Sequence, residues 1–111
     1  MDVAAALARV NGDRGFLGEM AVIFLEESPR LLAQIREAIA ADDPAGLVTP
    51  AHSLKNWTGN FVASAAFDAA TELEAVGRTG ALATAGTALA ILEREIERLR
   101  GPMAQFYQTR N

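Results

Sequence analysis

The chain contains a single histidine, His52, and no cysteine, so imidazole is the nucleophile to test first and thiol chemistry is closed. Neutral imidazole attacks electrophiles near pH 7, where much of an unperturbed histidine is uncharged. Read as a helix at about 100° per residue, the segment places His52, Lys55, Asn56 and Gly59 on one face, because they follow the i, i+3, i+4, i+7 spacing. Against the mean direction of Leu47, Ala51, Leu54, Thr58 and Phe61, taken as the core side, His52 points about 140° away, toward solvent. Imidazole attacking phosphorus would form a phosphoramidate, which is reactive enough to hand its phosphoryl group onward. Lys55, one turn along, can set its ammonium beside the phosphoryl oxygens and offset their charge. Gly59 costs a helix interior roughly 1 kcal/mol relative to alanine. That cost is more readily tolerated where another protein must approach the backbone closely.

Each of these residues has an ordinary reading when taken alone. An exposed helical histidine is plain surface, a lysine is a solvated charge, and a glycine marks a helix end or a tight crossing. Their combination on one face is what points to chemistry. Other chemistries lack their parts. A di-iron carboxylate bundle needs Glu-x-x-His on two helices, whereas here Thr49 stands three residues before the one histidine. Ser53 is too close in sequence to face His52, so a serine hydrolase has no nucleophile–base pair. No glycine-rich phosphate loop is present, so neither ATP binding nor self-phosphorylation is expected. With 14 acidic and 10 basic residues the net charge is −4, and no basic stripe suits a nucleic acid. No apolar run reaches the roughly 18 residues of a membrane span, and the Met-Asp-Val-Ala start lacks a positive leader. A cytoplasmic location is the expectation.

The elements that must position this face all read as helices, with period-two β-branched runs absent. Asp2 caps a short first helix, about residues 2–10, on which Val3, Leu7 and Val10 share a side, and Asn11-Gly12-Asp13 breaks it. A long second helix runs from about Arg14 to Ala41 with Leu17, Met20, Phe24, Leu31 and Ile35 inward, flanked by Leu25, Leu32 and Ile39. Pro29 inside it predicts a kink near Leu25 or a break into two. Asp43 is the predicted N-cap of a third helix, with Pro44 in its first position and Phe61 near its end. A fourth starts near Ser64, buries Phe67, Ala70, Leu73 and Val76, and is ended by Gly77 and Gly80. The last has Leu82, Ala85, Leu89, Leu92, Ile96 and Leu99 inward, with Glu93, Arg94, Glu95, Glu97 and Arg98 outside. Gly101-Pro102 should end or bend it, and Met103 and Phe106 keep the register, so the 102–111 tail can still pack. The expected architecture is all-α, a four-helix antiparallel up-and-down bundle over about residues 13–101 with a short extra N-terminal helix, in one domain spanning 1–111.

At this point the residues become recognisable. Ala51-His52-Ser53-Leu54-Lys55, then Thr58-Gly59-Asn60-Phe61 and Ala63, resembles the signature of histidine-containing phosphotransfer (Hpt) domains. The stretch from Phe24 to Leu32 is similar to that family's second helix, and Leu73-Glu74 to the helix after the histidine. The resemblance covers about residues 2–100. It implies a four-helix bundle in which His52 is the phosphoacceptor, Lys55 the basic partner, and Gly59 the small residue beneath a docked protein. The implied partners are receiver domains of response regulators, which supply the aspartate and the divalent metal, so the carrier needs no cofactor and acts as a monomer without independent catalysis. The family's usual glycine after the lysine is here Asn56, which projects about 40° from His52 and belongs to the docking face. A glycine often precedes the alanine numbered 63, where this chain has Val62. Trp57, about 80° from the core direction, is expected to cover a bundle seam. Two points stay open: whether the domain stands free or forms part of a hybrid sensor histidine kinase, and whether it transfers phosphoryl groups or is a non-phosphorylated interaction module.

Overall fold

Aspartate side chains fix where the first three helices begin. Asp2 Oδ1 accepts the Ala5 N–H at 3.0 Å and Asp13 Oδ1 the Phe16 N–H at 2.9 Å, each meeting a donor that a helix start leaves without a partner. The computed structural model describes residues 1–108, with side chains as far as Phe106. Its helices are α1 (Val3–Arg9), α2 (Arg14–Ala40), α3 (Ala45–Asn60), α4 (Ser64–Thr79) and α5 (Ala85–Gln108), with a 3₁₀ turn at Leu82–Thr84 before α5. Pro44 already has helical dihedrals, and Asp43 Oδ1 accepts the Gly46 N–H at 3.2 Å, so the expected cap is in place.

Three helices end in the same way. At each end the second residue past the regular run takes a left-handed backbone, and two N–H groups reach back to the last turn. For α3 these bonds are Val62 N to Gly59 O at 3.1 Å and Ala63 N to Thr58 O at 3.0 Å. The left-handed residues are Asn11, Asp42 and Val62, with φ of 56°, 55° and 51°. Asparagine and aspartate tolerate that region, whereas a β-branched valine is strained there by about 1–2 kcal/mol. A glycine would be relaxed at position 62.

The principal helix contacts form a closed cycle, α2 on α3, α3 on α4, α4 on α5 and α5 on α2. Inside it Leu17, Phe24, Ile35, Leu47, Leu54, Phe61, Leu73, Leu92, Met103 and Phe106 are fully buried, each contributing roughly 1.5–3 kcal/mol. Trp57 is half-buried and lies against Phe24 and Phe61, with ring centroids 5.9 and 6.3 Å apart, which is the seam expected of it.

Four sequence expectations need correction. Pro29 does not split α2 into two helices: α2 is continuous, because buried residues on both sides of Pro29 (Phe24, Leu31, Leu32, Ile35) hold both halves against the core. Gly77 does not end α4. It lies inside the helix, where a Cβ would meet Pro44 O and Val48 Cγ2 at 2.9 Å, so it is a close crossing with the start of α3, and Gly80 alone is the left-handed stop. Phe67 is not inward but 38% exposed. Gly101-Pro102 does not stop α5, since Met103 and Phe106 are buried and anchor the next turns; residues 109–111 of the expected tail lie outside the described residues. Among the described residues no helix is long and apolar enough to cross a membrane.

Candidate functional site

The inward stripe of α3 orients the site. Leu47, Ala51, Leu54, Thr58 and Phe61 are all fully buried, and the Thr58 hydroxyl is satisfied by donating to Leu54 O at 2.8 Å. His52, midway along the same helix on its other side, keeps half of its side chain in solvent (50%). Asn56 is exposed, and Lys55 and Gly59 are half-buried on the same face, so the four residues singled out by spacing do come together.

What joins them is a carboxylate from the neighbouring helix. Glu74 of α4 is only 8% exposed, and its two oxygens receive three side chains. Oε1 pairs with Lys55 Nζ at 2.8 Å, and Oε2 with His52 Nδ1 and Arg78 Nη2, each at 2.9 Å. Lys55 and then Arg78 hold the Glu74 carboxyl down from 4.5 to about 2; burial opposes this and His52 adds a smaller lowering. An ionised carboxylate only accepts hydrogen bonds, so Nδ1 must carry the proton. In the neutral ring this leaves the lone pair on Nε2. Lys55 is therefore beside His52 through a shared partner rather than over its ring.

Glu74 and Arg78 were given no role from the residues alone. The sequence does hold a signal for the first. Ala70, Glu74 and Gly77 follow i, i+4, i+7 spacing, so a single carboxylate interrupts the small-residue face of α4. Arg78, at i+4 from Glu74, is the matching cation on the same helix.

The surroundings suit contact with another protein more than enclosure of a small molecule. A hollow of about 500 Å³ beside the site includes Lys55, Asn56, Gly59, Val62 and Phe67 in its lining. A second of about 350 Å³ includes Phe16, Met20, Asn56 and Trp57. Asn56 thus forms a ridge between two depressions, and His52 lines neither. Phe16 and Ile23 of α2, 49% and 47% exposed, and Phe67 of α4 are the large apolar side chains left in solvent among the described residues. The Phe67 ring lies over Gly59, where an added Cβ would meet its edge at 3.4 Å. Among the described residues no three His, Cys, Asp or Glu side chains are grouped to hold a metal ion.

Comparison with known proteins adds one finding. The Hpt domain family model matches residues 19–102, a span that takes in α3, α4 and the residues His52, Lys55, Asn56, Gly59, Glu74 and Arg78. No curated protein and no solved structure matches the chain. Because the matched span is well over half of the sequence, the chain belongs to the Hpt domain family, whose members carry out histidine phosphotransfer in two-component phosphorelays.

Proposed function

We propose that this chain is a phosphocarrier whose His52 takes a phosphoryl group from the aspartate of one receiver domain and passes it to another. The observation that carries the reading is the half-exposed His52 ring with Nδ1 tied to a buried carboxylate, which turns the Nε2 lone pair outward. In the transfer the Nε2–P bond forms as the P–O bond to the receiver aspartate breaks, and the aspartate leaves as its carboxylate. No proton has to move. The ring keeps its Nδ1–H and takes on the positive charge of the new bond, which faces Glu74. The reverse step returns the lone pair to Nε2. Such in-line transfer depends on positioning and charge neutralisation, and Lys55 supplies the cation on this side. The receiver brings the divalent metal, so the domain needs no cofactor or nucleotide of its own and is no independent enzyme.

The fold supports this role as a rigid carrier. In our reading the four long helices run as an antiparallel up-and-down bundle, in keeping with their short connections and closed cycle of contacts, and residues 1–111 form one monomeric domain with α1 as an appendage. Asn56 and Gly59 belong to the receiver-docking face, the one as a ridge and the other as a low point under Phe67. The domain works in the cytoplasm, alone or within a hybrid sensor histidine kinase.

The test is incubation with a radiolabelled phosphorylated receiver. An acid-labile, alkali-stable label is expected on His52 and nowhere else, with none on His52→Gln and none from ATP and magnesium alone. The exposed position makes His52→Gln a mild change for stability, so circular dichroism should confirm its fold. Full labelling of that variant would exclude His52. A folded wild type that binds receivers yet takes no label would favour a non-phosphorylated interaction module.

A further inference from the structure

Lys55 has two claims on it. In the resting structure its ammonium is paired with Glu74 Oε1 at 2.8 Å, yet a phosphoryl group arriving on His52 Nε2 needs that same charge. Leaving Glu74 is not free, because a buried carboxylate stripped of its cation is strongly unfavourable. A second cation is already present. Arg78 lies one helical turn beyond Glu74 on α4 and donates from Nη2 to Oε2 at 2.9 Å, with 63% of its side chain in solvent. A guanidinium offers five donors in a planar fork that matches both oxygens of a carboxylate.

We propose that Arg78 is a positioning residue that takes over Glu74 when Lys55 turns to the phosphoryl group on His52, an inference that rests on His52 being the phosphoacceptor. The charges close under this exchange. One carboxylate faces two permanent cations, leaving one positive charge in surplus before any phosphoryl group arrives. After the swap Arg78 neutralises Glu74, which still accepts the His52 Nδ1–H, and Lys55 is free for the phosphoryl oxygens. Without Arg78 the lysine is locked to Glu74 and the surplus is gone.

The experiment measures initial transfer rates from a phosphorylated receiver to the full chain and its variants. Arg78→Ala should slow transfer about tenfold, the loss of one charge-assisted hydrogen bond expressed as a rate. The same change made in a Lys55→Ala background should cost less than about twofold, since no lysine is left to release. In a Glu74→Gln background it should again cost little, because a neutral amide needs no counter-ion. Arg78→Lys should recover most of the lost rate. Multiplicative losses in the Lys55→Ala background would overturn the proposal and make Arg78 an independent contact of the phosphoryl group. An unchanged rate in Arg78→Ala would overturn it as well. A wild type that accepts no label would instead remove the phosphoacceptor reading, and this proposal with it. Trp57 fluorescence and circular dichroism identical to wild type keep loss of fold apart from loss of transfer.

Discussion

Replacing Glu74 by glutamine keeps the side-chain shape and removes the charge on which His52, Lys55 and Arg78 converge. The folded carboxyl titrates at about 2 instead of 4.5. At roughly 1.4 kcal/mol per pH unit, that difference amounts to about 3 kcal/mol of stabilisation. The carboxylate is 8% exposed, but Arg78 and His52, two of the groups that lower it, are 63% and 50% exposed, so solvent screening reduces this to about 1–2 kcal/mol. Because the folded value lies below the unfolded one, the contribution is fully present above about pH 4.5 and is lost as pH falls toward 2. Urea denaturation followed by the single tryptophan, Trp57, which packs on Phe24 and Phe61, measures it directly. Between pH 6 and pH 2.5 the wild type should lose about 1–2 kcal/mol more than Glu74→Gln, and the two stability curves should converge in acid. The remaining carboxylates titrate in both proteins, so the difference isolates Glu74. Parallel curves across that range would show that the network adds nothing net to the fold, and the lowered titration of Glu74 in the folded protein would be refuted.

Gly77→Ala should destabilise by roughly 1–3 kcal/mol, despite a helix-propensity gain of about 1 kcal/mol, because its Cβ would press on Pro44 O and Val48 Cγ2; a raised urea midpoint would contradict the close crossing. Gly59→Ala should do the opposite, stabilising by up to about 1 kcal/mol since its Cβ meets only the Phe67 edge at 3.4 Å, while slowing transfer. A transfer rate equal to wild type would mean that no partner needs the backbone there. Asn56→Gly should speed transfer from non-cognate receivers more than from the cognate one, because a partner that cannot pair the amide buries it at a cost of roughly 1–3 kcal/mol. Equal factors across a panel of receivers would make Asn56 an ordinary surface residue.

The outward face of α3 was legible because five apolar residues of one helix point the other way, and a helix needs no tertiary information to place its own sides. Helix starts were legible for the same local reason, with Asp2, Asp13 and Asp43 each meeting an N–H three residues on. What escaped was whatever depends on the neighbour. Phe67 reads as core by its spacing, yet it is exposed because its direction on α4 overhangs Gly59 instead of entering the cycle of helices. Gly77 reads as a stop, since sequence does not reveal that the start of α3 crosses it. Pro29 and Pro102 read as places where a helix bends or stops, and that neither stops one is visible only once the buried residues flanking each are set against the other helices.

Glu74 belongs to the same class, and it ties the packing to the chemistry. The nucleophile is on α3 and the group that sets its tautomer is on α4, so the 2.9 Å contact between them is a statement about the spacing of two helices. That closeness is seen directly at Gly77, where an added Cβ would meet Pro44 O and Val48 Cγ2 at 2.9 Å, on a helix that also buries Ala66, Ala69 and Ala70. A displacement of about 1 Å would lengthen the His52–Glu74 hydrogen bond beyond useful geometry. A bulky substitution on the α4 face should then impair phosphoryl transfer before it unfolds the domain. Alanine and glycine there are read as packing from sequence, but their consequence is chemical, because they bring a buried carboxylate within reach of an exposed imidazole.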